Sequence, residues 1–241
     1  MDVNLKMKNS EIAFLFDLDG CLLDTVPFFV KITDEGFKEL GFNNVPQDIL
    51  FRGLDNQDLD KSDKRYIFSL FEWIGREGGI SDKNLIQEFM TKVGLKYLKM
   101  KEYGVNLFDG VPELLKNLKN KGFKIGLVTQ SSLKDLPKKL GDTQGFFDSI
   151  MGRESTRKQK PHPKPVLMAL EELNVLSENA FMIGDTLEDV LVGKNAGTKT
   201  VAVMSGIVRN EKDFEKLKPD IILKNVIEIS DNLNEILSLI K

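Results

Sequence analysis

Cysteine and histidine are nearly missing from this chain of 241 residues, with one of each, Cys21 and His162. A lone cysteine excludes an intrachain disulfide and a cysteine-built metal centre, and a lone histidine excludes paired-histidine zinc motifs. An excess of one charge is missing as well. With 34 basic against 37 acidic residues the formal net charge is −3, so the chain has no electrostatic footprint for duplex or single-stranded nucleic acid. No apolar run approaches the roughly 20 residues that a membrane span requires. The polar start, Met1 to Glu11, has no apolar segment of the kind a secretory signal carries. These absences lead us to expect a cytoplasmic protein that binds neither nucleic acid nor membrane. What is present is enough for a sizeable core, with 41% hydrophobic and 29% charged residues.

The first clear element is Ile12-Ala-Phe-Leu-Phe16, an apolar run stopped by Asp17. Continuous runs of this length read as strands buried on both faces. Others lie at Lys124–Val128, Ala180–Ile183, Lys199–Val203 and Asp220–Leu223, and helical spacing separates them at Val111–Leu118, Val166–Leu173 and Val226–Ile240. The alternation predicts an α/β fold, a Rossmann-like parallel sheet with helices on both faces. From Val26 to Gly104 the alternation stops. Tyr66, Ile67, Leu70, Phe71 and Ile74, then Leu85, Ile86, Phe89, Met90, Val93 and Tyr97, recur every three or four residues, which predicts an inserted helical domain over 26–104 between core segments 1–25 and 105–241. An insert placed there would lie over the carboxyl ends of the strands, where open α/β sheets bind ligands.

Four segments carry chemistry. Asp17 and Asp19 follow the first strand, and side chains two apart on a strand point the same way. Two adjacent carboxylates repel unless one keeps its proton or a cation lies between them, and Mg2+ suits such hard oxygen ligands. A polar turn after a strand would look similar. Thr129-Gln130-Ser131-Ser132 ends the second strand at the expected start of a helix, a setting that favours phosphate, although Ser131 or Ser132 serving as a helix cap would look the same. Gly184-Asp185-Thr186-Leu187-Glu188-Asp189 places acids after another strand, where they also complement a helix dipole. Lys160-Pro161-His162-Pro163-Lys164-Pro165 predicts an extended, stiff arm holding a lysine over an anion, or else a solvated basic loop.

Together, Asp17-x-Asp19, Thr129, Lys160 and Gly184-Asp185-x-x-x-Asp189 resemble the four motifs of the haloacid dehalogenase superfamily. The resemblance covers essentially the whole chain, with the helical insert in the place of the family's cap. It implies that Asp17 is a nucleophile forming an aspartyl phosphate, and that Asp19 is the general acid and base. Thr129 and Lys160 would bind and neutralise the phosphoryl group. Mg2+ would be held by Asp17, the backbone carbonyl of Asp19 and Asp185, with Asp189 completing or orienting that shell and Glu188 a less well fitting substitute for Asp189. Gln130, expected beside Thr129 and Lys160 in binding phosphate, stands where the family often has asparagine, and Cys21 where it usually has threonine; we read Cys21 as packing and His162 as a solvent-facing loop residue.

Asp19 favours phosphatases and phosphomutases over dehalogenases, and the mutases' histidine after the first motif is missing. A phosphonate hydrolase would need a cap lysine, such as Lys31 or Lys38. A receiver-like phosphoacceptor would be about half this length and without the insert. The expectation is therefore a Mg2+-dependent phosphatase resembling phosphoglycolate phosphatases and acting on a small phosphorylated metabolite, as a monomer or homodimer. For substrate selection the insert offers Phe28, Phe29, Arg52 and the Gly53-Leu54-Asp55 turn.

Overall fold

A computed structural model describes residues 8–54, 59, 66–100, 104–208 and 211–240. The chain divides into two compact units, one of Met1–Leu22 with Leu107–Lys241, the other of Leu23–Asn106.

In the first unit, β1 (Ala13–Phe16), β2 (Lys124–Val128), β3 (Ser149–Met151), β4 (Ala180–Gly184), β5 (Lys199–Val203) and β6 (Ile221–Leu223) form a sheet of order β3-β2-β1-β4-β5-β6. All its pairings are parallel. Parallel strands need crossovers, and the helices that make them cover the sheet, which is why β1 is apolar on both faces. On one face Ala13, Leu15, Ala180 and Met182 pack with Val166, Ala169, Leu170 and Leu173 of α7 (Lys164–Leu173) and Val192 and Ala196 of α8 (Leu187–Ala196). On the other, Phe14 stacks on Phe181 at 5.1 Å and meets Phe123 edge-on, just beyond α5 (Val111–Asn120). The order reverses direction around β1, so the carboxyl ends of β1, β2 and β4 are brought side by side at the position where such sheets bind ligands.

Four expectations are corrected. β3 has no counterpart in the sequence reading. The segment over 226–240 is broken into a short 3-10 turn, Val226–Ile229, and a short helix, Leu233–Ser238, because polar side chains compete for its backbone: Asn225 Oδ1 accepts from the Ile227 and Glu228 N–H groups, and Asn232 Nδ2 donates to the Glu228 carbonyl. The arm after Lys160 is a turn and not extended. The His162 N–H closes onto the Gln159 carbonyl, and α7 begins at Lys164 with Pro165 in its first turn, where a missing N–H costs nothing. Ser131 and Ser132 cap no helix; a 3-10 turn (Leu133–Asp135) follows them and leads into α6 (Leu136–Leu140).

The second unit contains α1 (Val26–Glu39), α2 (Gln47–Leu54), α3 (Tyr66–Glu77) and α4 (Lys83–Leu98). Asp82 caps α4, its Oδ1 accepting from the Asn84 and Leu85 N–H groups. The core is aromatic, with Phe37 edge-on to Phe89 at 4.8 Å. Phe28 and Phe29 belong to this interior, each within 6.3 Å of the Tyr97 ring. Gly53 packs against Ile74 and Trp73; Asp55 and the Leu54 side chain lie outside the described residues. No helix among the described residues is long and apolar enough to cross a membrane.

Candidate active site

β1 ends at Phe16, and the Asp17 N–H continues the ladder onto the Ile183 carbonyl of β4 at 2.8 Å. The strand alternation that would align Asp17 with Asp19 therefore stops before Asp19, and the two carboxylates turn to different lysines. Asp17 Oδ1 meets Lys160 Nζ at 2.5 Å. Asp19 is engaged by Lys139 Nζ, at 2.6 Å to Oδ1 and 2.9 Å to Oδ2, and accepts a short bond from the Ser131 hydroxyl. Lys139 was not singled out in the sequence. It is 120 residues from Asp19, on the five-residue α6, and only the tertiary fold brings the two together.

Lys160 Nζ also binds Asp189 Oδ1 at 2.6 Å. The other Asp189 oxygen accepts from the Thr186 N–H and hydroxyl, while Thr186 Oγ1 accepts from the Asp189 N–H, a reciprocal cap at the start of α8. The Lys160 loop is pinned from two sides: Gln130 Nε2 donates to the Lys160 carbonyl and Asn195 Nδ2 to that of Pro161. Thr129 is buried and joined to β3 through its N–H and the Met151 carbonyl, and its Oγ1 accepts from the Ser131 N–H, leaving the hydroxyl proton to donate.

Asp185 is fully buried. The Ile207 N–H binds its Oδ2 at 2.9 Å, and Oδ1 has no hydrogen-bond partner among the described residues. Gly20, at φ +96°, and Gly206 press against this carboxylate; a methyl group on either would overlap it. Asp17, Asp185 and Asp189 offer ligand oxygens within 4.8 Å of one another, and Glu188, although buried, is not in that group.

The charges do not balance. Three carboxylates face one ammonium, leaving two negative charges in a desolvated place. Burial, with Asp189 and Asp19 adding to it against the pull of Lys160, pushes the Asp17 carboxyl up to about 7. Burial, then Asp17 and Asp189, raise Asp185 well above the usual range. Burial disfavours the charged form of Lys160, but Asp17 and Asp189 outweigh it and hold the ammonium protonated. An orphaned carboxylate oxygen facing two excess negative charges is what a divalent cation with hard oxygen ligands would satisfy, so the donor set fits Mg2+. Cys21 is buried in this neighbourhood, its thiol near the Ile183 carbonyl at 3.8 Å and pushed up by burial and the surrounding acids, so it is a packing residue with little thiolate.

His162 is exposed, its Nδ1 accepting from the Lys164 N–H. Arg52 belongs to the helical unit, over the Trp73 ring at 5.8 Å and near Asp48 and Glu77. Lys31 and Lys38 are exposed on α1.

The sequence model for haloacid dehalogenase-like hydrolases matches residues 14–203, from β1 to the end of β5. The chain belongs to that family. Among relatives of this hydrolase, the phosphoglycolate phosphatase of Aquifex aeolicus is 31% identical over 88% of this chain and 95% of its own. The pyrophosphatase PpaX of Bacillus cereus is 32% identical over 64% of this chain and 73% of its own. A solved structure described as a predicted phosphoglycolate phosphatase from Haemophilus somnus superposes with a TM-score of 0.73 at 19% identity, covering 93% of this chain and 98% of the other, and bears on the fold alone. The chain is an enzyme, a phosphatase of the haloacid dehalogenase type.

Proposed function

We propose that this hydrolase is a Mg2+-dependent phosphatase for a small phosphorylated metabolite, working through an aspartyl phosphate on Asp17. The observation that carries the reading is Lys160, whose buried ammonium bridges Asp17 and Asp189 beside the orphaned oxygen of Asp185.

The steps use this chain's own groups. Asp17 attacks phosphorus, and the bond from phosphorus to the leaving oxygen breaks as Asp19 gives that oxygen a proton. Water then gives a proton back to Asp19 and attacks the same phosphorus. The bond to Asp17 breaks, phosphate leaves, and both carboxyls return to their starting state. Lys160 neutralises charge on Asp17 and on the phosphoryl oxygens, and the free Thr129 proton donates to one of them. Asp17, Asp185 and the Asp19 backbone carbonyl would hold the cation. Asp189, with both oxygens already engaged, orients Lys160 and adjoins the metal shell. Bound Mg2+ supplies charge neutralisation that lets one anion approach another.

Gln130 acts here as a brace for the Lys160 loop, its amide being engaged there. The helical unit is proposed as the substrate-selecting cap, with Arg52 as an anion-binding candidate on its surface. The names of the relatives direct the substrate search to 2-phosphoglycolate and inorganic pyrophosphate, alongside p-nitrophenyl phosphate as a general ester. Phosphate release that requires Mg2+ and ranks these compounds supports the reading. No release from any ester, with a hexose phosphate isomerised instead, would replace it with a phosphomutase.

A further inference from the structure

The geometry points to Lys139, acting with Ser131, as a positioning residue for the Asp19 carboxylate. This inference rests on the acid–base role proposed for Asp19. Lys139 Nζ reaches both Asp19 oxygens, at 2.6 and 2.9 Å, and also Ser131 Oγ at 2.8 Å. Ser131 Oγ in turn donates to Asp19 Oδ2, so three groups close a ring.

The ring is built, and not a chance surface pair. The Lys139 side chain is 10% exposed and that of Asp19 is 30% exposed. Holding a lysine there costs rotamer freedom and hydration. α6 fixes the lysine's place by burying Leu136 and Leu140 on either side of it in sequence. Ser131 also ties the ring to the phosphate-binding turn, because its N–H donates to Thr129 Oγ1 at 3.1 Å. Thr129 and the Asp19 carboxylate are thereby held in one register, the hydrogen-bond donor to the phosphoryl group beside the proton carrier. A carboxylate has about four acceptor positions, so the ring leaves capacity on Asp19 for the proton it transfers.

A proton carrier must lie within hydrogen-bond reach of the leaving oxygen and later of water, and a small displacement is costly in rate. Freed from the ring, Asp19 would sample other rotamers while Asp17, Lys160 and the metal ligands stay in place. The effect should therefore appear in the proton-transfer steps alone. p-Nitrophenolate departs without a proton, so phosphorylation of Asp17 by p-nitrophenyl phosphate should keep its rate. Hydrolysis of the aspartyl phosphate and the cleavage of alkyl phosphates should both slow.

Rapid-quench kinetics of Lys139→Met with Mg2+ present test this. We expect the burst of nitrophenolate to be retained, steady-state turnover to fall about tenfold to a hundredfold, and phosphoenzyme to accumulate. Alkyl phosphates should lose kcat with KM nearly unchanged. Lys139→Arg should restore most of the rate. In an Asp19→Asn background the Lys139→Met change should have no further effect. Should Lys139→Met fail to fold, Ser131→Ala should give the same pattern at smaller size. A raised KM with kcat intact, a burst slowed as much as turnover, or an undiminished effect in Asp19→Asn would overturn the assignment. If Asp19→Asn itself turned over at the wild-type rate, the acid–base reading beneath it would fall as well.

Discussion

The two units of this chain place their charges in opposite ways. In the α/β unit, Asp17, Lys160, Asp185 and Asp189 are all buried, and the cluster sets three carboxyl groups against the one ammonium of Lys160. In the helical unit the linking charges lie at the surface: Lys96 of α4 binds Glu35 at 2.8 Å and Glu39 at 2.6 Å on α1, and Lys92 meets Glu39 at 3.2 Å. Surface pairs of this sort contribute little and are replaceable, whereas a buried, unbalanced cluster costs stability, and the proposed reaction gives a reason for keeping it. The helical unit is held instead by apolar contact, as at Gly36, where any side chain would strike Val93 and Phe89. One unit holds the candidate site against its own repulsion, and the other is an ordinary amphipathic bundle.

Substitutions should separate the two cases. Asp17→Asn is expected to reduce turnover at least about a thousandfold while leaving the Tm of chelator-treated protein unchanged or higher, because one of three repelling carboxylates is removed; comparable loss of fold and activity would mean that the cluster is structural. Gly206→Ala should come next, costing about 1–3 kcal/mol by forcing the Asp185 carboxylate aside. Its distinguishing mark is a smaller Tm gain on adding Mg2+ than the wild type shows, and an undiminished gain would contradict the placement of Asp185 in the metal site.

Acidity offers a third test, because the units respond with opposite sign. A carboxyl raised by folding, as Asp17 is from 3.8 to about 7, contributes stability that is whole below the lower value and lost as pH rises through the upper one. Glu39 is the reverse: hydrogen bonds from Lys96 and then Lys92 hold it below 4.5, so its contribution is present above that value and is lost in acid. Metal-free protein should therefore gain stability on going from about pH 8 to about pH 6, and added Mg2+ should stabilise more at the higher pH, where protons compete less. A Mg2+ gain independent of pH would break the contrast. The smallest effect expected is for Lys96→Met, about 0.5 kcal/mol of stability by thermal unfolding with turnover of saturating p-nitrophenyl phosphate unchanged.

Much of the candidate site was legible because its residues are marked locally. Asp17 ends an apolar run, Thr129 and Asp185 do the same on β2 and β4, and the strand order makes those three ends neighbours. Lys139 carried no such mark, since a lysine on a short helix acquires a partner only through tertiary placement. β3 was illegible for another reason. Ser149-Ile150-Met151 is too short to show a period, and its serine is buried through a bond to Glu172. For Phe28 and Phe29 the spacing left open which side they face, and the structure buries both among the aromatic rings of the helical unit.

The sheet order also bears on how the chain is made. β1 hydrogen-bonds only to β2 and β4 in this sheet, with Ala13 opposite Lys124 on one side and Ala180 on the other. Both partners follow the helical unit in sequence. A nascent chain must therefore carry Ala-Phe-Leu-Phe unpaired while the whole helical unit is synthesised, and complete the ladder only after residue 184 has emerged. Pairing over such separations is slow, and an exposed apolar strand is prone to aggregate while it waits. The helical unit can fold in the interval from its own local contacts. The strand that leads into Asp17, first of the sheet's strands to be made, is thus bound on both edges only late in synthesis, and of the six strands it waits longest with its edges exposed.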